Sequence, residues 1–568
     1  MNFKKIFSYN MPSLIPILRR GIKGCIFVFL FIFLLSSCAV IELPSGGKKD
    51  VKPPSIKKYI PANKSTKFSE NKIEIEFDEF IQLKDVNNQI IISPPLADAP
   101  DVKVKGKSVL VKFKDSLQKN TTYNISFGKS ISDITENNIL ENFNCIFSTG
   151  NSIDSMIIRG QIIDAFGLTP EKDVAILLYN KNTDSLPYEK IPQYVAKTID
   201  NGGFKFNNIK MGKYKIFALK DINNNYLYDL PEEKIGFLDT LVFPFNNDTN
   251  KTTIKPFYNL NLFQEEKGFQ HIVKSSAQGY GKLMFVFYKP TENIKLKLLK
   301  PQTDVNFNYC EINKTRDTLF YWLKNLSTDS LTIKVSDNKT ILDTVDFVLP
   351  PKNQKSRTGK GNVAVAKFGS ESNLSSKTLD LNKLIKITFS QPIAEFDFSK
   401  IILTEGKDTI VIPKFSFSDS LKRKLEISYQ WKENKSYKLF IPPDTFKDIF
   451  DFKNDTIKYE FKTKSLKDYA KIILNISLPE NRFQYILQLV DEKGNVVKED
   501  IINKSEKIIY GFLLPRKYNF RLIYDSNNDS KWSTGIYLKK IQPEKVLMYS
   551  IFNAKANWDT EMDWKVQK

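Results

Sequence analysis

A chain of 568 residues is too long for one hydrophobic core, and roughly three to five domains are expected. Apolar residues at 41% and aromatic residues at 13% are enough for packed cores. The formal charge of +21 comes from lysines interleaved with acids rather than from a basic run past the N-terminus, so it reads as a solvated surface, and no nucleic-acid partner is expected.

The N-terminal stretch is the most specific. Arg19, Arg20 and Lys23 precede the apolar run "CIFVFLFIFLL" (25–35), which is short for a bilayer span and ends in "SSC". A short signal anchor is one reading. The other rests on "LSSC" (35–38), which resembles the bacterial lipobox: an aliphatic residue, two small residues, then cysteine. That resemblance implies a signal peptide over 1–37, cleavage before Cys38 and acylation of its thiol, with the membrane as a partner through the acylated Cys38. Cleavage would remove Cys25 and leave Cys145 and Cys310 as unmodified thiols, both within strand-like runs and expected to be buried and free.

Residues 38–54 read as a lipidated cysteine and Pro/Gly/Lys tether. Beyond it, period-two alternation dominates. In "KIEIEF", Ile73, Ile75 and Phe77 share one face and Glu74 and Glu76 the other, and "SVLVKF" and "YNISF" behave alike. With Asn, Asp, Gly and Pro turns and no long amphipathic helix, the expected fold is all-β, a multidomain string of antiparallel β-sandwiches.

An internal repeat is visible. "FDEFI" (77–81), "NTTYNISF" (120–127), "ISD" (131–133) and "FNCIFSTG" (143–150) are matched by "FSQPI" (389–393), "NKSYKLFI" (434–441), "FKD" (446–448) and "IKYEFKTK" (457–464). These motifs resemble the bacterial immunoglobulin-like module of the SbsA type, with a Phe-acid strand, Asn-x-x-Tyr, a late Asp and a closing Phe-x-Thr. A second unit type follows each copy. "TIDNGGFKFNNIKMGKYKIFALKDINNN" and, later, "IIYGFLLPRKYNFRLIYDSNND" resemble prealbumin-like modules akin to the regulatory domain of carboxypeptidases, with Tyr214 and Tyr518 in corresponding places. The expected order is 55–150 Ig-like, 151–264 prealbumin-like, 265–350 a middle β-domain, 351–375 a linker, 376–465 a second Ig-like domain and 466–568 a second prealbumin-like domain. The whole resembles a group of Bacteroidota lipoproteins with Ig-like domains, a resemblance that implies architecture and compartment rather than a mechanism.

Catalytic residue sets are sparse. His271 is the only histidine, which excludes multi-histidine metal sites and reads as a junction residue. Asp78 and Glu79 are strand neighbours that point to opposite faces and cannot act as a glycosidase pair. One stretch has the look of a metal loop. In "DINNNYLYD", Asp221, Asn223, Asn225 and Asp229 fall at positions 1, 3, 5 and 9 of the calcium-loop template and Glu232 at position 12, with Tyr226 where the template has glycine. Its counterpart offers Asp525, Asn527 and Asp529, with Ile536 at position 12. Asn and Asp are equally what a hairpin turn selects, so calcium ligation and a plain turn stay open as readings.

The expected function is non-enzymatic: a lipid-anchored envelope protein of the outer membrane, on its periplasmic face in preference to the cell surface, whose modules act as spacer or scaffold for an envelope protein or glycan. The alternative is a glycan-binding or carbohydrate-active lipoprotein of a nutrient-uptake system. A convergent carboxylate pair beside exposed Trp or Tyr would favour the latter.

Overall fold

The computed structural model describes residues 49–567 except 115, 247–254, 267, 302–308, 325–329, 351–366, 408 and 480–482. The signal segment, the lipobox and Cys38 lie outside the described residues, as does most of the expected linker. The fold is nearly all β, with only four-residue α-helical turns and 3-10 turns for helix among the described residues. It is a string of sandwiches, and five groups of buried residues mark their cores.

The alternation read from the sequence sets the first module. Ile73, Ile75 and Phe77 on strand Lys72–Phe77 are buried, and Glu74 and Glu76 are only partly so. That strand lies between Ile56–Ile60 and Ser108–Lys112 in a four-stranded sheet, facing the sheet formed by Asn144–Ser148, Thr122–Ser126 and Ile91–Ser93. The fourth module repeats this order with Ser370–Ser372, Ile385–Phe389, Lys424–Ser428 and Lys414–Phe417 facing the sheet built on Ile457–Thr463, Ser436–Ile441 and Ile402–Glu405.

The repeated motifs meet at one corner. The Tyr123 hydroxyl accepts the N–H of Gln118 at 2.9 Å, and Thr149 Oγ1 donates to the Gln118 carbonyl at 2.6 Å. In the fourth module Tyr437 accepts from Lys432 N at 3.1 Å, and Thr463 Oγ1 donates to Lys432 O at 2.6 Å. Each tyrosine also stacks on the phenylalanine two residues before that threonine, Phe147 at 5.4 Å and Phe461 at 5.5 Å. The Asn-x-x-Tyr and Phe-x-Thr patterns are therefore two halves of one turn lock, akin to the tyrosine corner of immunoglobulin sandwiches.

The second and fifth modules also share a topology, in which the first and last strands pair in parallel. Met156–Asp164 lies between Tyr258–Gln264, parallel, and Gly203–Ile209, antiparallel. Ala470–Ser477 lies between Asp559–Lys565, parallel, and Glu506–Leu513, antiparallel. Their tyrosines close turns as well: Tyr214 donates to Lys210 O at 2.7 Å and Tyr518 to Leu514 O at 2.8 Å. In the second module Lys234–Phe237 joins the halves into one seven-stranded sheet. The middle module is a four-stranded and a three-stranded sheet over a core of Leu283, Phe285, Ile333 and Val335.

Three of the four pairs of neighbouring modules are packed, not merely tethered. The first meets the second through Val195 N–H donating to Ser93 Oγ at 3.1 Å and Lys197 donating to Asn88 O at 2.9 Å. The middle module presses Trp322, fully buried, against Leu421, Ile449 and Phe450 of the fourth. Arg423 stacks on that indole at 4.6 Å and pairs with Glu311. Tyr469 ties the fifth module to the fourth by donating to Asp380 at 3.1 Å and accepting from Leu381 N–H at 2.9 Å. The fifth module then returns to the second, so the string closes on itself.

Of the two thiols expected to be buried, Cys145 is, whereas Cys310 is half-buried at an outer strand of its sheet; both are free. Burial pushes the Cys145 thiol up to about 12 and raises Cys310 as well.

Candidate functional site: two matched loops and a hook between modules

The stretch "DINNNYLYD" links strand Lys215–Leu219 to strand Lys234–Phe237. Short polar side chains fold it by capping their own backbone. Asp221 accepts from the N–H groups of Asn225 at 3.3 Å and Tyr226 at 2.8 Å. Asn223 Oδ1 accepts from Asn225 N at 3.2 Å, and Asn225 Oδ1 from Leu227 N at 2.7 Å. The Asp229 carboxylate takes the side-chain amides of Asn223 at 3.2 Å and Asn225 at 2.8 Å. The backbone turns left-handed at Asn224 (φ 58°) and Tyr226 (φ 59°), so Tyr226 adopts the conformation for which the calcium template uses glycine.

The sequence spacing points to Glu232 as the closing ligand, and there the structure differs. Glu232 is exposed, because the turn from Leu230 adds one residue before the strand. The closing residue is Glu233, fully buried, accepting from Ile222 N at 3.1 Å, Asp229 N at 3.2 Å and Leu230 N at 3.1 Å. The structure thus brings together Asp221, Asn223, Asn225 and Asp229, and leaves Glu232 outside.

The loop of the fifth module is built the same way. Asp525 accepts from Asp529 N at 3.0 Å and Ser530 N at 2.9 Å, at the same offsets as in the first loop. Asn528 and Ser530 are left-handed at φ 58° and 61°. Glu544 takes the part of Glu233, accepting from Ser526 N at 2.7 Å and Ser533 N at 2.9 Å. The signal for this pairing was the shared "PEEK" (231–234) and "PEK" (543–545), separated from the aspartate by different lengths.

Both loops bury acids without a cation. Burial raises the Asp221 carboxyl, against the pull of backbone N–H groups, with Asp229 adding to it. Burial likewise raises Glu233, with Asp221 contributing. Among the described residues, no ion pair involves Asp221, Asp229, Glu233, Asp525, Asp529 or Glu544, and no group of three or more His, Cys, Asp or Glu has the arrangement of a metal site.

The loops differ in one insertion. Four residues separate Tyr228 from Glu233, and eleven separate the equivalent Trp532 from Glu544. The extra residues form a tight hook, in which Ile536 and Ile541 exchange N–H···O bonds around the 3-10 turn Tyr537–Lys539. Gly535 sits against Phe263, where an added Cβ would come within 2.6 Å of the ring, so the approach requires glycine.

The hook carries Tyr537 into the second module. Its ring packs at 5.0 Å on Phe237, 5.3 Å on Phe217 and 6.1 Å on Tyr188. Its hydroxyl donates to Asp184 O, its N–H to Glu265 and Thr534 Oγ1 to Gln264 O. Lys540 pairs with Asp184 at 3.2 Å. Beside the hook, Trp532 lies 5.0 Å from Phe166, which also packs against Ile486, Ile523 and Val546 and meets the Arg521 guanidinium at 4.4 Å. A cleft of about 310 Å³ opens at this junction.

The other sequence candidates are structural. His271 is exposed, stacked on Tyr288 at 4.9 Å and bonded to Phe269 O at 2.9 Å. Asp78 accepts from the Ser55 hydroxyl at 2.6 Å and the Ser55 N–H at 2.8 Å.

Residues 50–149 match the family described as bacterial Ig-like domain. No curated protein matches the chain in sequence. Among solved structures, the chain is similar to the major pilin subunit BcpA of Bacillus cereus, at 9% identity over 72% of this chain and 100% of that one, TM-score 0.15. It is similar also to domains 4–9 of the surface-layer protein SbsC, at 12% identity over 82% and 65%, TM-score 0.19. A third is a Bacteroides ovatus glucan-locus protein in complex with a mixed-linkage heptasaccharide, at 10% identity over 63% and 88%, TM-score 0.17.

Proposed function

We propose that the chain is a non-enzymatic, lipid-anchored protein of the bacterial cell envelope, held by Cys38 on the periplasmic face of the outer membrane, whose sandwiches form a closed scaffold for an envelope protein or glycan. The observation that carries the scaffold reading is the return of residues 532–542 to the second module. An extended spacer has no use for a contact between its second and last units, whereas a presenting scaffold needs fixed geometry between its surfaces. The anchor rests on the lipobox sequence alone. A nucleophilic role for Cys145 is disfavoured by its burial and raised thiol pKa.

Two measurements test the reading. Cys38→Ala is expected to move the protein from the membrane to the aqueous fraction. Small-angle scattering of the mature chain is expected to give a maximum dimension well short of five sandwiches end to end. An extended particle, or membrane association unchanged in Cys38→Ala, would defeat the corresponding half of the proposal.

A further inference from the structure

The cleft between the second and fifth modules combines surfaces of two kinds. Its aromatic side is Phe166 and Phe263 from the second module and Trp532 from the fifth. The lining is mainly apolar, Leu262 included, with a narrow polar edge at Asp164, Lys234 and Gln264, at the ends of three adjacent strands. Lys234 is fixed there, donating to Asp164 at 2.9 Å and to Glu171 at 3.2 Å, and Lys220 stands 3.8 Å from the other Glu171 oxygen. Asp164 is fixed in turn by the N–H groups of Phe166 at 3.1 Å and Gly167 at 2.7 Å.

We propose that this cleft is a binding site for one ring of a neutral saccharide. The size fits, since about 310 Å³ stands at the lower end of the roughly 300–1,000 Å³ of small-molecule pockets, and module junctions are where such pockets form. The chemistry narrows the class. The two charged residues of the lining, Asp164 and Lys234, pair with each other, so the lining itself offers a charged ligand no net attraction. An acyl chain would strip water from the ion pairs and return no hydrogen bond. A pyranose offers both things the walls ask for: a C–H face to lie on an aromatic ring, and adjacent hydroxyls that donate to a carboxylate while accepting from an ammonium. Because Lys234 neutralises the acids, the pair is built to hold a sugar rather than to hydrolyse it.

The site is incomplete without Trp532, so the inference rests on the closed arrangement proposed above. The test is calorimetric titration and saturation-transfer NMR of the mature chain in detergent with glucose, galactose, N-acetylglucosamine, cellobiose and lactose. At least one is expected to bind with a dissociation constant of roughly 1 mM or tighter. Lys234→Met, which keeps the packed methylenes, and Trp532→Ala are each expected to weaken it at least tenfold, and glucosamine and glucuronate are expected to bind no tighter than glucose. No binding to any of the five, or binding unchanged in both variants, would overturn the site. So would tenfold tighter binding of either charged sugar. Scattering on the same samples separates the failures: a closed particle without sugar binding removes only the cleft, and an open one removes the scaffold as well.

Discussion

The Tyr537 hydroxyl donates to the Asp184 carbonyl at 2.6 Å across 353 positions of sequence. The ring behind that hydroxyl is 2% exposed, although its hook belongs to the last module and its surroundings to the second. Removing the side chain therefore acts on a contact between modules as if it were a core. Tyr537→Ala is expected to cost the junction about 3–5 kcal/mol, and Tyr537→Phe, which loses one hydrogen bond, about 0.5–1.5 kcal/mol. Limited trypsinolysis reads this as faster cleavage near Lys539 and Lys540 in the alanine variant, and nearly unchanged cleavage in the phenylalanine one. Equal protection of all three would show that Tyr537 does not hold the modules together.

The turn lock predicts matched effects in two modules. Thr463 Oγ1 donates to Lys432 O and accepts from Lys435 N at 3.1 Å, while Thr149 Oγ1 donates to Gln118 O and accepts from Thr121 N at 3.0 Å. Alanine at either site strands a backbone N–H and a C=O, at about 1–3 kcal/mol. Calorimetry is expected to show one transition lowered in each variant, a different one in each. Serine, which keeps the hydroxyl, is expected to recover most of the loss.

Calcium separates the two readings of the Asp221 loop: a metal loop would be stabilised by it, and a plain turn left unchanged. Two carboxylates and two carboxamide oxygens are gathered there, Glu233 is buried behind them, and no described side chain supplies a positive charge. Asp221 and Glu233 are raised above their ordinary values of 3.8 and 4.5, so in the free protein their effect favours folding below those values and is lost as pH rises through the folded ones. A bound cation opposes that loss, so the calcium effect is expected to grow from pH 4 to pH 7. Melting curves in calcium and in chelator at both pH values provide the check. No shift at pH 7 would return the loop to a plain turn.

The cleft's ion pairs carry the opposite sign. The Asp164 carboxyl is held below its ordinary value: burial works against this, and the Gly167 N–H and Lys234 prevail. Lys234 is raised above 10.5 by Asp164 and Glu171 despite burial. Their stabilisation is full between about pH 4 and about pH 10 and falls away outside it. Lys234→Met is expected to flatten both edges of the stability profile. A profile unchanged at its acid edge would rule out the pairing.

Much of the fold was legible because it is local. Alternation in "KIEIEF" marks the buried face, and Tyr123, Tyr437, Thr149 and Thr463 stand in a sequence repeat that their shared contacts explain. The closing residue of the Asp221 loop was off by one, since a template counts positions and the turn at Leu230 adds another. The hook and the cleft left no such trace. "STGIYLKKIQ" reads as an ordinary loop with a glycine, and a contact made by surfaces hundreds of residues apart imposes no period on either. The one sequence difference at this place is an insertion, holding a large aromatic residue, in one of two matched loops.

That insertion makes the repeated units unequal. Tyr537 and Gly535 of the later copy close over Phe217, Phe237 and Phe263 of the earlier one. A gene cut at the apparent module boundary would yield a second module with an open aromatic socket, prone to self-association. The two copies behave less like beads on a thread than like buckle and tongue, and a change on one side of the contact is felt on the other.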